Sequence, residues 1–507
     1  MISAMDSTTR GLSLTGKVLV VSLIASLVLS FLSAYYDDVI QPDGVLYIEA
    51  ARAFSDSGIT AGYSLYPWPF YSWLIALFHD VSGFEFETSA HVLNAVFFAL
   101  LVVAFTMLVK EAGGTGAVLI AAAIVVLAYP RLNGYRSFIV RDSEYWAFYL
   151  AGLLFFIRFF RQPNWRNGVA WAIAMLLATL FRIEGLVFLA TLPLAFLFKP
   201  NYPWRLRLGM LSRAYLPHAV LLAAFVLAYW VSGVQQTGRL RELVMWGARI
   251  LELGSHLDAK ASALTGAILN RWSDHLGMTA LIFALAGMLL VSIIKGCTLL
   301  YSALALHAGY RRHLKIEKDA LVVLIFAALV NLLIVTLYLA SNFFLPGRFI
   351  VAFALIVMIA VPFSLAALHE KWREGRGFIF PAVCAVLAYM AVDGMVSLGP
   401  SNTYLKHAGL WLKDNIGSAT VYSDDSRVAY YASKPRGLGE WEETQRMLTE
   451  GSWTHFDYLA IEINRRNRGW EGWIREKINI SPVATFGNDR DDRVVIFKVA
   501  KETARQE

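Results

Sequence analysis

Long stretches without a charge constrain this chain more than any other feature. The first, VLVVSLIASLVLSFLSA from Val18 to Ala34, is followed by others that approach the ~20 residues a helix needs to cross ~30 Å of hydrocarbon. A soluble protein of 507 residues could not hide the apolar surface of a chain that is 57% hydrophobic and only 16% charged, so its natural solvent is a bilayer. Arg10 and Lys17 ahead of the first run resemble the start of a signal peptide. No small-residue cleavage motif follows, and the run is long enough to span, so it is expected to remain as the first helix. Cys297 and Cys384 lie in apolar runs, fit no disulfide framework or metal spacing, and read as packing residues.

About eleven spans are expected, near 18–35, 88–109, 115–130, 143–159, 167–181, 184–198, 213–232, 277–294, 319–340, 346–367 and 377–397. With the N-terminus in the cytoplasm, the inner loops collect the lysines and arginines: Arg158, Arg161 and Arg166, then Lys199, Arg205, Arg207 and Arg213, then Arg311, Arg312, Lys315 and Lys318, then Lys371, Arg373 and Arg376. The first outer loop, 36–87, carries only Arg52 and many acids. Residues 277–307 are too long for one untilted span, and Lys295-Gly296 offers an exit, with 297–308 lying along the inner surface. Residues 167–198 must form a hairpin because basic loops flank both ends; its tip is FRIEG, 181–185.

On the outer side, Asp43 is placed to cap a helix over Gly44 to Ser57 that stops at Gly58. A second short helix is expected over 70–79 after YPWP, and surface helices over 238–275. From about 400 the charge rises, and the apolar residues shorten to ATVYSDD, FDYLAIEI, PVATF and DRVVIFKVA, separated by helical patterns. The expected division is a membrane domain over 1–399 and a small α/β domain over 400–507. The fold class is therefore mostly α, a polytopic membrane protein with outer juxtamembrane helices and that appended domain.

Ionisable residues collect on the outer side. The first loop supplies Asp37, Asp38, Asp43 and Glu49; YPRLNGYRSFIVRDSEYW supplies Arg131, Arg136, Arg141, Asp142 and Glu144. The hairpin tip supplies Arg182 and Glu184, and SNFFLPGRF supplies Arg348. These arginines sit where the inward bias of positive charge should leave few, which points to an anionic partner; guanidinium forks suit phosphate oxygens. A carboxylate beside such a site can act as a general base or help to hold a divalent cation. Blander readings stand beside these. Asp43 also reads as a cap, Asp37 and Asp38 as solvated flanks, and Arg141, Asp142 and Glu144 as markers of a helix start favoured by its dipole. Tyr66 is a binding candidate, yet with Trp68 and Tyr71 it also reads as an interfacial aromatic belt. Charges at membrane depth favour function for Arg182 and Glu184. No HExxH, phosphate loop, GxSxG or usable GxGxxG is present in the sequence.

An acidic first loop with an Asp heading a juxtamembrane helix, followed by YPWPFYSWLIALF, resembles the GT-C class of membrane glycosyltransferases. The bacterial aminoarabinose transferase and protein O-mannosyltransferase type is most similar. RDSEYW resembles the second acidic element of that class, FRIEGL its Arg-x-Glu-Gly turn, and LPGRF its late outer arginine. The resemblance runs in order over roughly 18–367. It implies an inverting transfer of a hexose or pentose from a polyprenyl-phosphate donor to a glycan, lipid or protein acceptor at the outer face of a bacterial inner membrane, with the C-terminal domain periplasmic. Asp43 would be the base. Arg131, Arg136, Arg141, Arg182, Glu184, Arg348 and Tyr66 would bind substrate or lipid phosphate. Some members use a divalent metal such as Mg or Mn and others none; Asp43, Asp142 and Glu144 would be the ligands. Membrane lipids are expected partners and nucleic acid is not. Two other readings remain open: a transporter or flippase of lipid-linked sugar, which would want charges along a midplane path, and a non-catalytic envelope scaffold.

Overall fold

The apolar runs are helices. The computed structural model describes residues 13–37, 39–216, 219, 247–249, 251–395, 399, 401–434, 441–465 and 467–499. Asp38, most of the expected span 213–232 and the beginning of the stretch 238–275 lie outside the described residues. Among those described, five helices are long and apolar enough to cross a membrane: Leu14–Tyr35, Phe86–Glu111, Asp274–Cys297, Lys318–Asn342 and Gly347–Arg373. Shorter apolar helices accompany them, at Ala117–Leu127, Trp165–Phe181, Glu184–Phe198 and Ile379–Asp393. The chain is a multi-pass membrane protein. It divides into two compact units, one of Met1–Phe31, Val92–Arg136 and Arg141–Met395, the other of Leu32–His91, Ser137–Val140 and Val396–Glu507.

In the first unit, small residues let helices approach where lipid removes any hydrophobic drive between them. Helix Asp142–Arg161 packs on Trp165–Phe181 through Gly152, where a Cβ would lie 2.7 Å from Met175 Cε. Ala121, Ala122 and Ala123 are all buried in Ala117–Leu127. One end of the bundle is basic and cross-linked. Arg158 Nε and Arg161 Nη1 donate to Glu111 at 2.8 and 2.6 Å, Arg161 also pairs with Glu317, and Lys199 lies 3.5 Å from Asp319. The opposite end carries Arg131, Asp142, Arg182 and Arg348: Asp142 begins the helix that ends at Arg161, Arg182 and Arg348 reach Asp142, and Arg131 flanks Gly347 beside Arg348.

The contacts on either side of Thr298 correct the expectation for 297–308. Gly277–Cys297 ends beside Tyr129 and Arg131, not at the basic end: Tyr129 Oη donates to the Gly296 carbonyl at 2.6 Å, and Arg131 Nε to that of Lys295 at 3.4 Å. Thr298 turns the chain at φ 60, and its hydroxyl caps the next helix, Leu299–Tyr310, at Tyr301 N. This helix does not lie on a surface. Tyr301 is fully buried and donates to Val125 O at 2.8 Å, and His307 meets the Ser364 hydroxyl at 2.6 Å. The hydroxyls and carbonyls that a surface helix would give to water are satisfied here inside the bundle.

In the second unit, Pro42–Ser57 starts with Pro42 at its first turn and ends where Gly58 takes φ 82, a conformation that favours glycine. The residue in the capping position is Gln41, with no side-chain cap bond, so Asp43 is not the cap; Pro42 moves the helix start ahead of it and leaves Asp43 half-buried in the first turn. The second expected helix is Phe70–Ser82. Of the expected belt of Tyr66, Trp68 and Tyr71, two members turn into the protein. Tyr47 meets Tyr66 and Tyr71 edge-on at 5.3 and 5.2 Å, and Tyr71 and Trp68 are buried.

The expected strands form one four-stranded sheet in the order β1-β2-β4-β3: β1 Val421–Ser423, β2 Tyr458–Ile463, β3 Pro482–Gly487 and β4 Arg493–Lys498. β1 is parallel to β2; the other pairs are antiparallel. Alternation sends Leu459, Ile461, Ile463, Val495 and Phe497 to one face, with Ile474 and Ile478 of Trp470–Ile478. Ala460, Val494 and Ile496 face the other way, against Leu405, Ala408 and Leu412 of Thr403–Asn415. Each fully buried large aliphatic there contributes about 1.5–3 kcal/mol, enough to order a small sheet covered on both faces.

Candidate functional site

At the end of the bundle opposite the basic one, helix Asp142–Arg161 begins with two buried acids in its first turn, Asp142 and Glu144. The helix dipole favours negative charge there. Trp165–Phe181 ends at Arg182, which leaves the helix in an extended conformation, and Glu184 starts the next helix. Gly185 allows this tight reversal: a Cβ on it would lie 2.6 Å from the Thr179 backbone nitrogen. Although Arg182 and Glu184 are two apart and would not face each other on one helix, the turn brings them together. Arg182 Nη2 donates to Glu184 Oε1 at 2.5 Å, while Nη1 pairs with Asp142. The guanidinium carbon sits 4.2 Å from the Phe349 ring centre and 5.7 Å from that of Tyr145. Arg182 is thus held on its edges by carboxylates and on its face by an aromatic ring.

Arg348 stands at the start of Gly347–Val357, its side chain 32% exposed and its Nη1 3.9 Å from Asp142 Oδ2. Arg131 Nη1 and the Tyr135 hydroxyl each approach the Gly347 Cβ position to 3.6 Å, so both flank the same turn. Arg141 is within electrostatic reach of Glu184. Arg131, Arg141, Arg182 and Arg348 therefore gather around Asp142, Glu144 and Glu184, four guanidinium groups to three carboxylates. A small pocket opens among Tyr145, Trp146, Arg182, Glu184, Asn331, Ile334, Val335, Arg348, Phe349 and Ala352. Its lining combines the guanidinium groups of Arg182 and Arg348 and the Glu184 carboxylate with aromatic and aliphatic side chains.

Arg136 does not join this cluster. Its side chain is 1% exposed, with the guanidinium over Phe98. Nη1 donates to Ser30 Oγ at 2.7 Å and to Ser26 O and Oγ at 3.1 Å, and Nε to Asn133 Oδ1 at 2.9 Å. This corrects its expected role as a phosphate ligand: the serine face of the first helix captures it before it can reach the cluster. Asp43 and Tyr66 belong to the other unit, Asp43 in the first turn of Pro42–Ser57 and Tyr66 closing Ile59–Leu65.

The expected metal ligands do not fit. Among the described residues, no three His, Cys, Asp or Glu side chains gather to hold an ion. Asp142 faces Arg182 and Arg348, and Glu144 Oε2 accepts from Ser143 Oγ at 2.9 Å. A cation at Asp142 would have to displace a guanidinium already seated there.

Sequence reasoning passed over Tyr135, Phe349 and Asn331. Asn331 had a signal, a lone amide inside an uncharged run; it donates to the Tyr149 hydroxyl at 2.7 Å and to Ala327 O at 2.9 Å. Phe349 and Tyr135 had none, since their neighbours come from distant helices.

No protein-family model and no curated protein matches this chain. Solved structures do. The oligosaccharyltransferase AglB from Archaeoglobus fulgidus, in complex with an inhibitory peptide and a dolichol-phosphate, matches with a TM-score of 0.53 at 14% identity, covering 94% of this chain and 74% of that one. An Archaeoglobus fulgidus oligosaccharyltransferase tethered with an acceptor peptide matches with a TM-score of 0.52 at 13% identity, over 94% and 74%. ArnT from Cupriavidus metallidurans bound to undecaprenyl phosphate covers 96% of this chain and 99% of its own at 14% identity, with a TM-score of 0.44. The likeness to the oligosaccharyltransferase establishes the fold alone, which this chain shares with that enzyme.

Proposed function

We propose that this chain is a glycosyltransferase that moves a sugar from a polyprenyl-phosphate donor to a glycan, lipid or protein acceptor. The observation that carries this reading is the arginine cluster at the end of the bundle away from its basic loops, in a chain with the GT-C fold. The dolichol-phosphate held by the oligosaccharyltransferase supports a polyprenyl phosphate as the carrier. The bias of Lys and Arg supports a cytoplasmic side for Arg158, Arg161 and Lys199 and an outer face for the cluster. On this reading there are about eleven spans, the N-terminus is cytoplasmic, residues 400–507 lie outside a bacterial inner membrane, and residues 1–399 carry the chemistry.

The reaction asks for three things. An acceptor hydroxyl or amine attacks the anomeric carbon from the face opposite the carrier, so configuration inverts. Asp43 takes the proton that the nucleophile loses as the new bond forms. The bond from the anomeric carbon to the phosphate oxygen breaks, and its electron pair becomes charge on the departing polyprenyl phosphate. Arg348 and Arg131 meet that charge with forked donors, while Arg182, held by Asp142 and Glu184, fixes the wall behind them.

Mass spectrometry of lipids bound to purified wild type, Asp43→Asn and Arg348→Gln tests this. Wild type and Asp43→Asn should retain polyprenyl-phosphate lipids, with the sugar-loaded form enriched in Asp43→Asn. Arg348→Gln should retain less of both. Absence of any phosphorylated polyprenyl lipid from all three under gentle extraction refutes the donor assignment.

A further inference from the structure

We propose that the C-terminal domain acts in the reaction as a clamp on the first outer loop, with Tyr431 as the positioning residue for the helix that carries Asp43. The proposal rests on the reading of Asp43 as the base. Helix Ser426–Tyr431 is capped by Asp425 and ends with two adjacent tyrosines. The Tyr431 hydroxyl accepts the Ile40 backbone N–H at 2.9 Å. Ile40 is buried and immediately precedes Gln41, the residue in the capping position of Pro42–Ser57, whose carbonyl takes the first helical bond from Val45 N at 3.1 Å. A single hydroxyl on the C-terminal domain therefore fixes the point at which the chain enters the Asp43 helix. Tyr430 holds the other end of the loop, donating to Glu87 Oε2 at 3.2 Å in the first turn of Phe86–Glu111.

The register of this clamp is set by a close approach. Gly409, on Thr403–Asn415, lets Ser426–Tyr431 pack against it: a Cβ there would lie 2.6 Å from Tyr431 Cβ and 2.7 Å from the Val428 carbonyl oxygen. One of these atoms is backbone, so the whole short helix would have to shift and carry the Tyr431 hydroxyl away from Ile40. Lys406 on the same supporting helix lies 5.5 Å from the Tyr431 ring centre and steadies its face. On the loop side a Cβ on Gly44, next to Asp43, would lie 3.0 Å from Ile139 Cβ and from Ile40 Cγ1, so the start of the helix packs closely on Ile40 and Ile139.

The test uses the full chain in lipid nanodiscs, with Tyr431→Phe, Gly409→Ala and Asp43→Asn. Tyr431→Phe keeps the ring and removes only the acceptor. Losing one buried hydrogen bond should speed amide hydrogen exchange over residues 39–47 about fivefold in Tyr431→Phe and Gly409→Ala, while 458–463 and 493–498 keep their protection. Both variants should also retain as much polyprenyl phosphate as wild type but a larger sugar-loaded fraction, as Asp43→Asn does, because turnover and not donor binding is impaired. Unchanged exchange over 39–47 in Tyr431→Phe overturns the clamp. Faster exchange with a wild-type sugar-loaded fraction, in a set where Asp43→Asn does raise it, overturns the positioning role. If Asp43→Asn fails to raise that fraction, the assignment of the base has failed, and the exchange result alone decides whether the clamp exists.

Discussion

Arg182→Met should destabilise the protein by about 3–5 kcal/mol, the cost of removing one partner from a buried ion pair. The magnitude follows from what the guanidinium holds. Asp142 is 2% exposed, and the Glu184 side chain 13%. Without Arg182, Asp142 is left facing Arg348 at 3.9 Å, too long for a strong hydrogen bond. Methionine keeps the apolar stem but gives up the guanidinium's stacking on Phe349 together with its charge. The measurement is thermal unfolding in detergent micelles, where a change of this size lowers the midpoint by several degrees. The control is the triple variant Arg182→Met, Asp142→Asn, Glu184→Gln. With the orphaned carboxylates neutralised, it should recover at least half of the loss, because the cost lies in uncompensated buried charge and not in lost volume. A single variant within about 1 kcal/mol of wild type would match a solvent-screened surface pair instead and would refute the reasoning. So would a triple variant as unstable as the single.

Three further outcomes follow from particular contacts. Arg348→Gln should cut retained polyprenyl phosphate at least threefold, whereas Arg136→Gln should leave lipid per folded protein unchanged and cost about 1–3 kcal/mol of stability through its buried serine and asparagine bonds; equal lipid loss in both, by mass spectrometry, would return Arg136 to the site. Gly185→Ala should destabilise by about 1–3 kcal/mol, because its Cβ meets the Thr179 backbone nitrogen at 2.6 Å; thermal unfolding at the wild-type midpoint would show that the turn can open without cost. In the C-terminal domain, burial holds the Asp424 carboxyl well above the usual carboxylate range, with Asp425 and Glu462 adding to it, and burial raises Glu462 as well. The native state then binds these protons more tightly than the unfolded chain, so the stability they contribute is present below the ordinary carboxylate range and is lost as pH rises through their elevated values. Local unfolding free energies of β2 and β4 from hydrogen exchange, corrected for intrinsic rates, should fall between pH 4 and pH 8, and Asp424→Asn should flatten that fall; identical slopes would refute the assignment.

The sequence by itself determined what depends on neighbours along the chain. Uncharged runs long enough to span can be counted without knowing what they pack against, and charge bias sorts their connections into two kinds. The short apolar runs in YLAIEI and RVVIFK mark strands, because runs of that length between polar breaks suit a strand and not a span. Gly58 could be read as a stop, since only the residue's own conformational freedom is at issue. Tertiary structure decided the partners. Arg131, Arg136 and Arg141 are spaced five apart and look alike locally, yet one flanks Gly347, one is spent on Ser26 and Ser30, and one lies near Glu184. Asp142 finds Arg182 forty residues on, Asn331 finds Tyr149, and the helix after Thr298 enters the bundle because Val125 and Ser364 offer its polar groups bonds that no local pattern reveals. A guanidinium or hydroxyl bonds whatever lies within about 3 Å once the chain has folded, and that distance is set by helix packing, which the one-dimensional pattern does not contain.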